Sequence, residues 1–333
     1  LRAIMYNPIS VEPELREVNV PSIGEHEVLI KVRAAALNHR DLHITNPNNK
    51  KEFIYGSDGA GEIIEVGKSV KNWTKGDQVI INSQISCMEC EYCLRGEHSL
   101  CDAGSVLGGV KWPGTFADYV KVPSVNAAPK PIHLSYAEAA ALPLALGTAW
   151  RALITKAKLK PGESMLIQGI GGGVALYCLQ IASAIGAKVF VSSGSDDKIR
   201  RAVILGALDG FNYKSAAQDP MSLSEKGYDV IVSSSAASIE SSIRYAKKGG
   251  RIVQFSYLGN AIPQFDIDAV MGKQLQIIGS AMHTYSEFIE MLRYVEQSKL
   301  VPIISRRLPL DHFHEGFKEM ENGNQFGKIV FEM

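Results

Sequence analysis

Ser164-Met165-Leu166-Ile167-Gln168-Gly169-Ile170-Gly171-Gly172-Gly173-Val174-Ala175 is the stretch that decides the fold. An apolar run breaks into a glycine cluster and opens directly onto a segment in which Val174, Cys178, Ile181 and Ile185 recur at helical spacing. Gly186 stops that helix, and Ala187-Lys188-Val189-Phe190-Val191 reads as the next strand, so the whole is a βαβ unit. Glycines let the backbone turn sharply and approach a pyrophosphate, whose charge then lies against the amides and dipole at the helix start. Gly169 and Gly171 fit the first two glycines of a dinucleotide turn, and one extra glycine moves the third small position to Ala175. Gly172, Gly173 and Val174 complete the candidate cofactor contact, and a tight glycine turn without a ligand is the alternative.

The same rhythm continues downstream. Strand two ends in Ser192-Ser193-Gly194-Ser195-Asp196-Asp197-Lys198, where an acidic side chain usually accepts the ribose hydroxyls of the non-phosphorylated cofactor. Ser193, Gly194 and Ser195 stand there instead, with Lys198, Arg200 and Arg201 following, a set suited to a 2′-phosphate. NADPH is therefore expected over NADH, and Asp196 and Asp197 are read as complements to a helix dipole. Tyr228-Asp229-Val230-Ile231-Val232 and Arg251-Ile252-Val253-Gln254-Phe255 are further strands, a helix between them ending at Gly249-Gly250. Gln274 to Ile278 adds a strand and Tyr285 to Ser298 a helix. Ligands of a doubly wound sheet gather at the strand C-terminal ends, which makes Ser233, Ser256 and Tyr257 candidate neighbours of the nicotinamide half, or ordinary turn residues. Thr148, after Gly147 at a break before a helix, is a candidate cofactor contact or a plain N-cap.

Upstream, residues 1–125 carry short apolar or alternating runs punctuated by glycine and proline, as in Val28–Val32, Gly61–Gly67 and Gly76–Ile81. These predict a rolled sheet or small barrel. Residues 126–268 form the expected dinucleotide-binding domain, and 269–333 a return to the first domain. Asn38-His39-Arg40-Asp41-Leu42-His43 is a polar cluster straight after a strand, able to bind an anion or relay protons, or to act as a solvated helix cap with Asp41 paired to Arg40. Cys87, Cys90, Cys93 and Cys101 can place four sulfurs around a tetrahedral zinc without long-range folding. Four thiolates leave no open coordination position, so that zinc is structural. The fifth cysteine, Cys178, falls on an apolar helix face and reads as core.

The 333 residues suit two domains, and 46% hydrophobic content fills two ordinary cores. Lys+Arg and Asp+Glu are both 35, which with no basic run argues against a nucleic-acid partner. No apolar stretch has the length of a membrane span and the first residues lack a signal-peptide pattern, so a cytoplasmic location is the expectation.

Together these residues resemble the medium-chain dehydrogenase/reductase family, which includes the zinc alcohol dehydrogenases and quinone oxidoreductases. The resemblance implies an α/β chain with a GroES-like rolled β N-terminal domain and a Rossmann domain with a doubly wound parallel sheet. It also implies a C-terminal return ending in Gly327-Lys328-Ile329-Val330, with His39 and Lys328 among the cofactor contacts. Zinc alcohol dehydrogenases hold a catalytic zinc with a Cys in a motif like Cys-His-Thr-Asp-Leu-His, a His in Gly-His-Glu-Gly-Ala-Gly, and a later Cys. Here Asn38 stands in the first motif, Ser57 in Gly56-Ser57-Asp58-Gly59-Ala60-Gly61, and Leu142 to Gly147 contains no Cys. What remains looks like the quinone-oxidoreductase branch, in which Lys198 and Tyr213 contact the 2′-phosphate.

The expected activity is hydride transfer from NADPH to a quinone or conjugated enone without a catalytic metal. Asn38 is the first choice as hydrogen-bond donor, Tyr55 the second, and His43 lies on a candidate proton path. Two alternatives stand beside this. One is an alcohol dehydrogenase with zinc held by some of His39, His43 and Asp58, and the other a non-catalytic NADPH-binding protein. The resemblance further implies a small-molecule substrate and a homo-oligomer, dimer or tetramer.

Overall fold

A computed structural model describes residues 1–44, 50–215, 220–224, 226–258 and 266–333, with Tyr257 and Leu258 described by backbone alone. The chain divides into two units, one of Leu1–Gly147 and His283–Met333 and one of Thr148–Met282. The division falls at 147/148 and 282/283 rather than at the expected 125/126 and 268/269. Hydrogen bonding explains both shifts. Residues 127–129 pair with a strand of the first unit, while residues 276–279 extend the parallel sheet of the second.

The first unit opens with β1 (Arg2–Tyr6), β2 (Pro13–Glu17), β3 (Glu27–Ala36), β4 (Phe53–Ile54) and β5 (Asp58–Val66). There follow β6 (Gln78–Ile81), β7 (Gln84–Ile85), β8 (Ser105–Val106), β9 (Tyr119–Pro123) and β10 (Ala127–Pro129). β2, β1 and β4 form an antiparallel sheet, and β7 pairs β8 beside the cysteine lobe. The larger sheet is built on β3, which pairs β5 on one edge and β9 along its first half. Small residues let β3 and β5 lie close: Val32, Ala34 and Ala35 face Gly61, Ala60 and Gly59. A Cβ on Gly61 would fall 2.1 Å from the Lys31 carbonyl oxygen. Ile30, Ile63, Phe116 and Phe331 fill the core beneath.

The second unit is a six-stranded parallel sheet of β11 (Ser164–Gln168), β12 (Lys188–Ser193), β13 (Asp209–Asn212), β14 (Tyr228–Ser235), β15 (Ala246–Leu258) and β16 (Gln276–Gly279). Their order is β13-β12-β11-β14-β15-β16, the doubly wound pattern, in which the sheet reverses direction of growth between β11 and β14. Leu166, Phe190, Ile231 and Ile252 pack within its core. The helix expected to run to Gly249-Gly250 ends earlier, at Tyr245, and Ala246 already belongs to β15. The chain returns to the first unit through a helix, Tyr285–Ser298, whose start is fixed by Thr284 and Glu287 in a reciprocal cap. β17 (Ile304–Pro309) and β18 (Lys328–Glu332) complete the large sheet, whose path runs β10-β6-β5-β3-β18-β17. β18 lies antiparallel to β3, pairing Val330 with Ala36 and Phe331 with Ala35.

Gly61→Ala forces β5 away from β3. The expected loss is ~1–3 kcal/mol, the usual cost of overpacking, read as a lower urea midpoint at unchanged slope.

Candidate functional site

In the second unit the glycine turn has room for a phosphate group beside a helix start. Gly169 and Gly171 have φ of +85° and +131°, which a side chain would strain. Added Cβ atoms on Gly169 and Gly172 would meet nothing within 4 Å. The helix Gly173–Ile185 starts with no side-chain cap at Gly172, and Gly186 ends it in the left-handed region. These features fit a dinucleotide pyrophosphate. The Lys198 side chain lies over the turn, where a Cβ on Gly171 would be 2.9 Å from its Cδ and 3.2 Å from its Nζ. Burial, then Arg201, pulls the Lys198 ammonium below its ordinary range.

At the end of β12, Ser193 is buried and its Oγ accepts the Ser195 N–H at 3.2 Å. Ser195 in turn caps the helix Asp196–Ile204, accepting the Lys198 N–H at 3.4 Å. Tyr213 is 62% exposed. A Cβ on Gly194 would lie 3.0 Å from Tyr213 Oη and 3.1 Å from Lys214 Nζ. Lys214, which sequence alone does not single out, follows Tyr213 directly in the chain. Thr148 is buried within the helix Pro143–Trp150, neither at a break nor an N-cap. Ser233 is also buried, with its hydroxyl engaged by Ser238 and the Ser235 N–H, so it is turned into a local serine network. Ser256 is half-buried near the end of β15, and the Tyr257 side chain lies outside the described residues.

In the first unit a polar cluster gathers where β3, β5 and β18 meet. Asn38 is 7% exposed. Both of its amide hydrogens are committed, to Ser57 Oγ at 3.1 Å and Asp58 Oδ2 at 2.9 Å, so in this arrangement it has no side-chain donor to offer a substrate. Its backbone N–H donates to Asp41 Oδ2 at 2.9 Å. Lys328, expected at the cofactor, points inward: Nζ donates to Leu37 O at 2.8 Å, Asn38 Oδ1 at 2.5 Å and Asp58 Oδ2 at 3.3 Å. Asp58 Oδ1 accepts the Leu144 N–H at 2.9 Å. Burial draws the Lys328 ammonium down from its ordinary range, with Asp58 opposing.

Tyr55 is fully buried among Tyr6, Phe53 and Phe317, which makes it a core residue rather than a donor facing substrate. Burial raises its phenol above the ordinary range. His39 opens the short helix His39–His43 and is half-buried, while His43 is exposed at its end. Arg40 donates to Leu107 O at 2.8 Å, and its Nη1 stands 3.6 Å from Asp41 Oδ1. Asp41 does cap the helix start and lie beside Arg40, as one expectation had it, but it is wholly buried rather than solvated.

The cysteine lobe is assembled for zinc. The sulfurs of Cys87, Cys90, Cys93 and Cys101 lie within 4.8 Å of one another, with Cys87 at 3.9 Å from Cys93 and 3.5 Å from Cys101. A tetrahedron of bonds near ~2.3 Å has edges of about 3.8 Å, so the four fit one zinc ion. Met88 adopts φ +65° in the turn between the first two ligands. Tyr285 secures the neighbourhood, its one hydroxyl hydrogen lying within reach of Asn126 Oδ1 at 2.8 Å and Gln84 O at 3.1 Å. Cys178 is buried on its helix, as expected for core.

Residues 24–132 match the alcohol dehydrogenase GroES-like domain and residues 173–297 the zinc-binding dehydrogenase family. The zinc-type alcohol dehydrogenase-like protein YogA of Leptosphaeria maculans is 32% identical over 348 residues, covering 96% of this chain and 94% of that protein. Acryloyl-coenzyme A reductase of Metallosphaera sedula is 30% identical over 331 residues, covering 95% of each. A solved NAD-dependent alcohol dehydrogenase superposes with a TM-score of 0.94 at 36% identity, covering 100% of both chains. Fold, glycine turn and relatives define an NAD(P)-dependent oxidoreductase with a four-cysteine structural zinc site. The chain belongs to the zinc-type alcohol dehydrogenase family of the medium-chain dehydrogenases/reductases. No helix among the described residues is long and apolar enough to cross a membrane.

Burial, opposed by Arg40, pushes the Asp41 carboxyl from 3.8 to about 6. The folded value exceeds the unfolded one, so the stability this group contributes is full below about pH 4 and lost as pH rises through about 6. Asp41→Asn keeps an acceptor for the Asn38 N–H without titrating. Its stability relative to wild type should therefore rise between about pH 4 and pH 7, measured as urea midpoints across that range; a difference independent of pH would contradict the assignment.

Proposed function

We propose that the chain is an oxidoreductase of the alcohol dehydrogenase type, passing hydride between a nicotinamide cofactor and the carbon of a carbonyl compound. The observation that carries this reading is the uncapped helix start at Gly173 behind the open turn of Gly169 and Gly172. When bound, the nicotinamide supplies or accepts the hydride. The chain's own part is to hold the pyrophosphate on the amides after Gly172 and to fix the adenosine end near Ser193, Gly194 and Tyr213. Names among the relatives favour an alcohol and its aldehyde or ketone as the reacting pair.

NADP(H) is the favoured cofactor within this reading. Ser193 leaves no carboxylate at the end of β12, and Lys214 Nζ and Tyr213 Oη both approach Gly194. Several relatives are named as NAD-dependent, which makes the comparison of the two cofactors decisive.

A second reading is reduction of a conjugated carbonyl. The residues at 38 and 57 and in 142–147 offer neither thiolate nor imidazole, so the donor set does not fit a catalytic zinc. Conjugated acceptors need no Lewis acid because the charge left by hydride spreads onto oxygen. The acryloyl-coenzyme A reductase is a relative whose name fits this class. The quinone acceptor expected from sequence has no counterpart in the relatives described above, whose names point to alcohols and an acryloyl thioester.

Initial rates of NADPH and NADH oxidation, with an aldehyde, a ketone, an enone and a quinone offered separately, test both readings. Turnover of aldehyde or ketone supports the first, turnover of the enone alone the second, and none on any acceptor overturns both. Lys214→Met is expected to weaken NADPH binding about tenfold, an ordinary value for losing one charge-assisted contact, and to leave NADH binding unchanged. Equal weakening for both cofactors would remove Lys214 from 2′-phosphate recognition.

A further inference from the structure

Arg40 is anchored at one corner of its guanidinium and uncommitted along one edge. It lies on the short helix His39–His43, two residues after Asn38. Nη1 donates to Leu107 O at 2.8 Å and to Gly108 O at 3.5 Å. Those carbonyls belong to a tightly held loop. Leu107 is fully buried, and the amides of Gly108 and Gly109 both close onto Trp112 O, at 3.1 and 3.0 Å. Gly108 has φ +79°, and a Cβ there would fall 2.6 Å from Gly56 O. The loop that anchors Arg40 thus rests on the residue before Ser57, beside the cluster of Asn38, Ser57 and Asp58.

The remaining donors, on Nε and Nη2, have no hydrogen-bond partner among the described residues, and the side chain that carries them is 27% exposed. These two nitrogens form the side-on edge of a guanidinium, whose parallel N–H bonds match the two oxygens of a carboxylate. Asp41 leaves that edge open. It comes no nearer than 3.6 Å, Oδ1 to Nη1, makes no hydrogen bond to the guanidinium, and gives Oδ2 to the Asn38 N–H. Anchoring through Nη1 has already removed rotamer freedom that binding would otherwise cost. One cation balances one carboxylate, whereas a phosphate dianion would call for a second.

We propose that the Nε–Nη2 edge of Arg40 binds a carboxylate of the substrate, so that the reacting carbonyl compound is an oxo acid rather than a simple aldehyde or ketone. The proposal rests on the hydride-transfer reading above, with the carbonyl held beside the cluster of Asn38.

Two measurements test it. In the first, succinic semialdehyde is compared with its methyl ester, and acetylacrylate with its methyl ester for the conjugated reading. Wild type is expected to prefer the acid, in whichever pair it turns over, by about tenfold or more in kcat/KM, a preference that shrinks with added salt. Arg40→Met should erase the preference and Arg40→Lys keep part of it, while KM for the cofactor moves less than about threefold in both. Equal kcat/KM on acid and ester by wild type, a preference that survives in Arg40→Met, or a raised cofactor KM in place of the lost preference would overturn the proposal. The second measurement needs no turnover: calorimetric titration of the complex with cofactor by succinate, which has the carboxylates without the reacting carbonyl. Binding about tenfold weaker in Arg40→Met than in wild type is expected. No binding to wild type, or equal binding to the two proteins, would overturn the proposal. Failure of wild type to turn over any of the acids or esters would instead count against the hydride-transfer reading, and the succinate titration then decides Arg40 by itself.

Discussion

Asp58 is a carboxylate with none of its surface in water, and the segments that reach it each answer one of its lone pairs. The Asn38 amide comes from the end of β3, the Leu144 amide from the start of a helix, and the Lys328 ammonium from β18. A low-dielectric interior makes each unmet partner expensive, so the three elements are held in one arrangement more strictly than apolar packing alone would require. The sheet carries the same logic in its backbone. β3 tolerates β5 at close range because Gly59, Ala60 and Gly61 present almost no side chain, and that closeness brings Ser57 and Asp58 within reach of Asn38.

The second unit leaves its glycine turn open beside an uncapped helix start. Strand order reverses between β11 and β14, and the crevice at such a reversal lies at the strand C-terminal ends. Glycines there remove the obstacles, and the start of a thirteen-residue helix supplies the partial charge. Lys198 lies against Gly171 and Lys214 against Gly194.

Much of this architecture was legible because local signals and global fold agree. The strand, glycine turn and helix at 164–185 carry their own periodicity and punctuation, and the cysteine spacing encloses a zinc within fifteen residues. What sequence could not supply was the inward or outward aim of single polar side chains. Asn38 reads as a free donor until Ser57 and Asp58 are seen to take both of its hydrogens. Tyr55 reads as a phenol near a loop until the ring is found between Phe53 and Phe317. Lys328 sits in a motif that promises a cofactor contact, yet its destination depends on β18 pairing with a strand almost three hundred residues earlier, which no local pattern encodes.

That separation has a consequence for how the molecule is made. The four cysteines of the lobe come from one short stretch, whereas the parallel sheet already pairs Met165 with Val230. The cradle at Asn38 cannot close until residue 328 has emerged, 290 positions later, and until then Asp58 waits without its cation. β18, set between β3 and β17, brings both a backbone partner for β3 and the charge that completes the cluster.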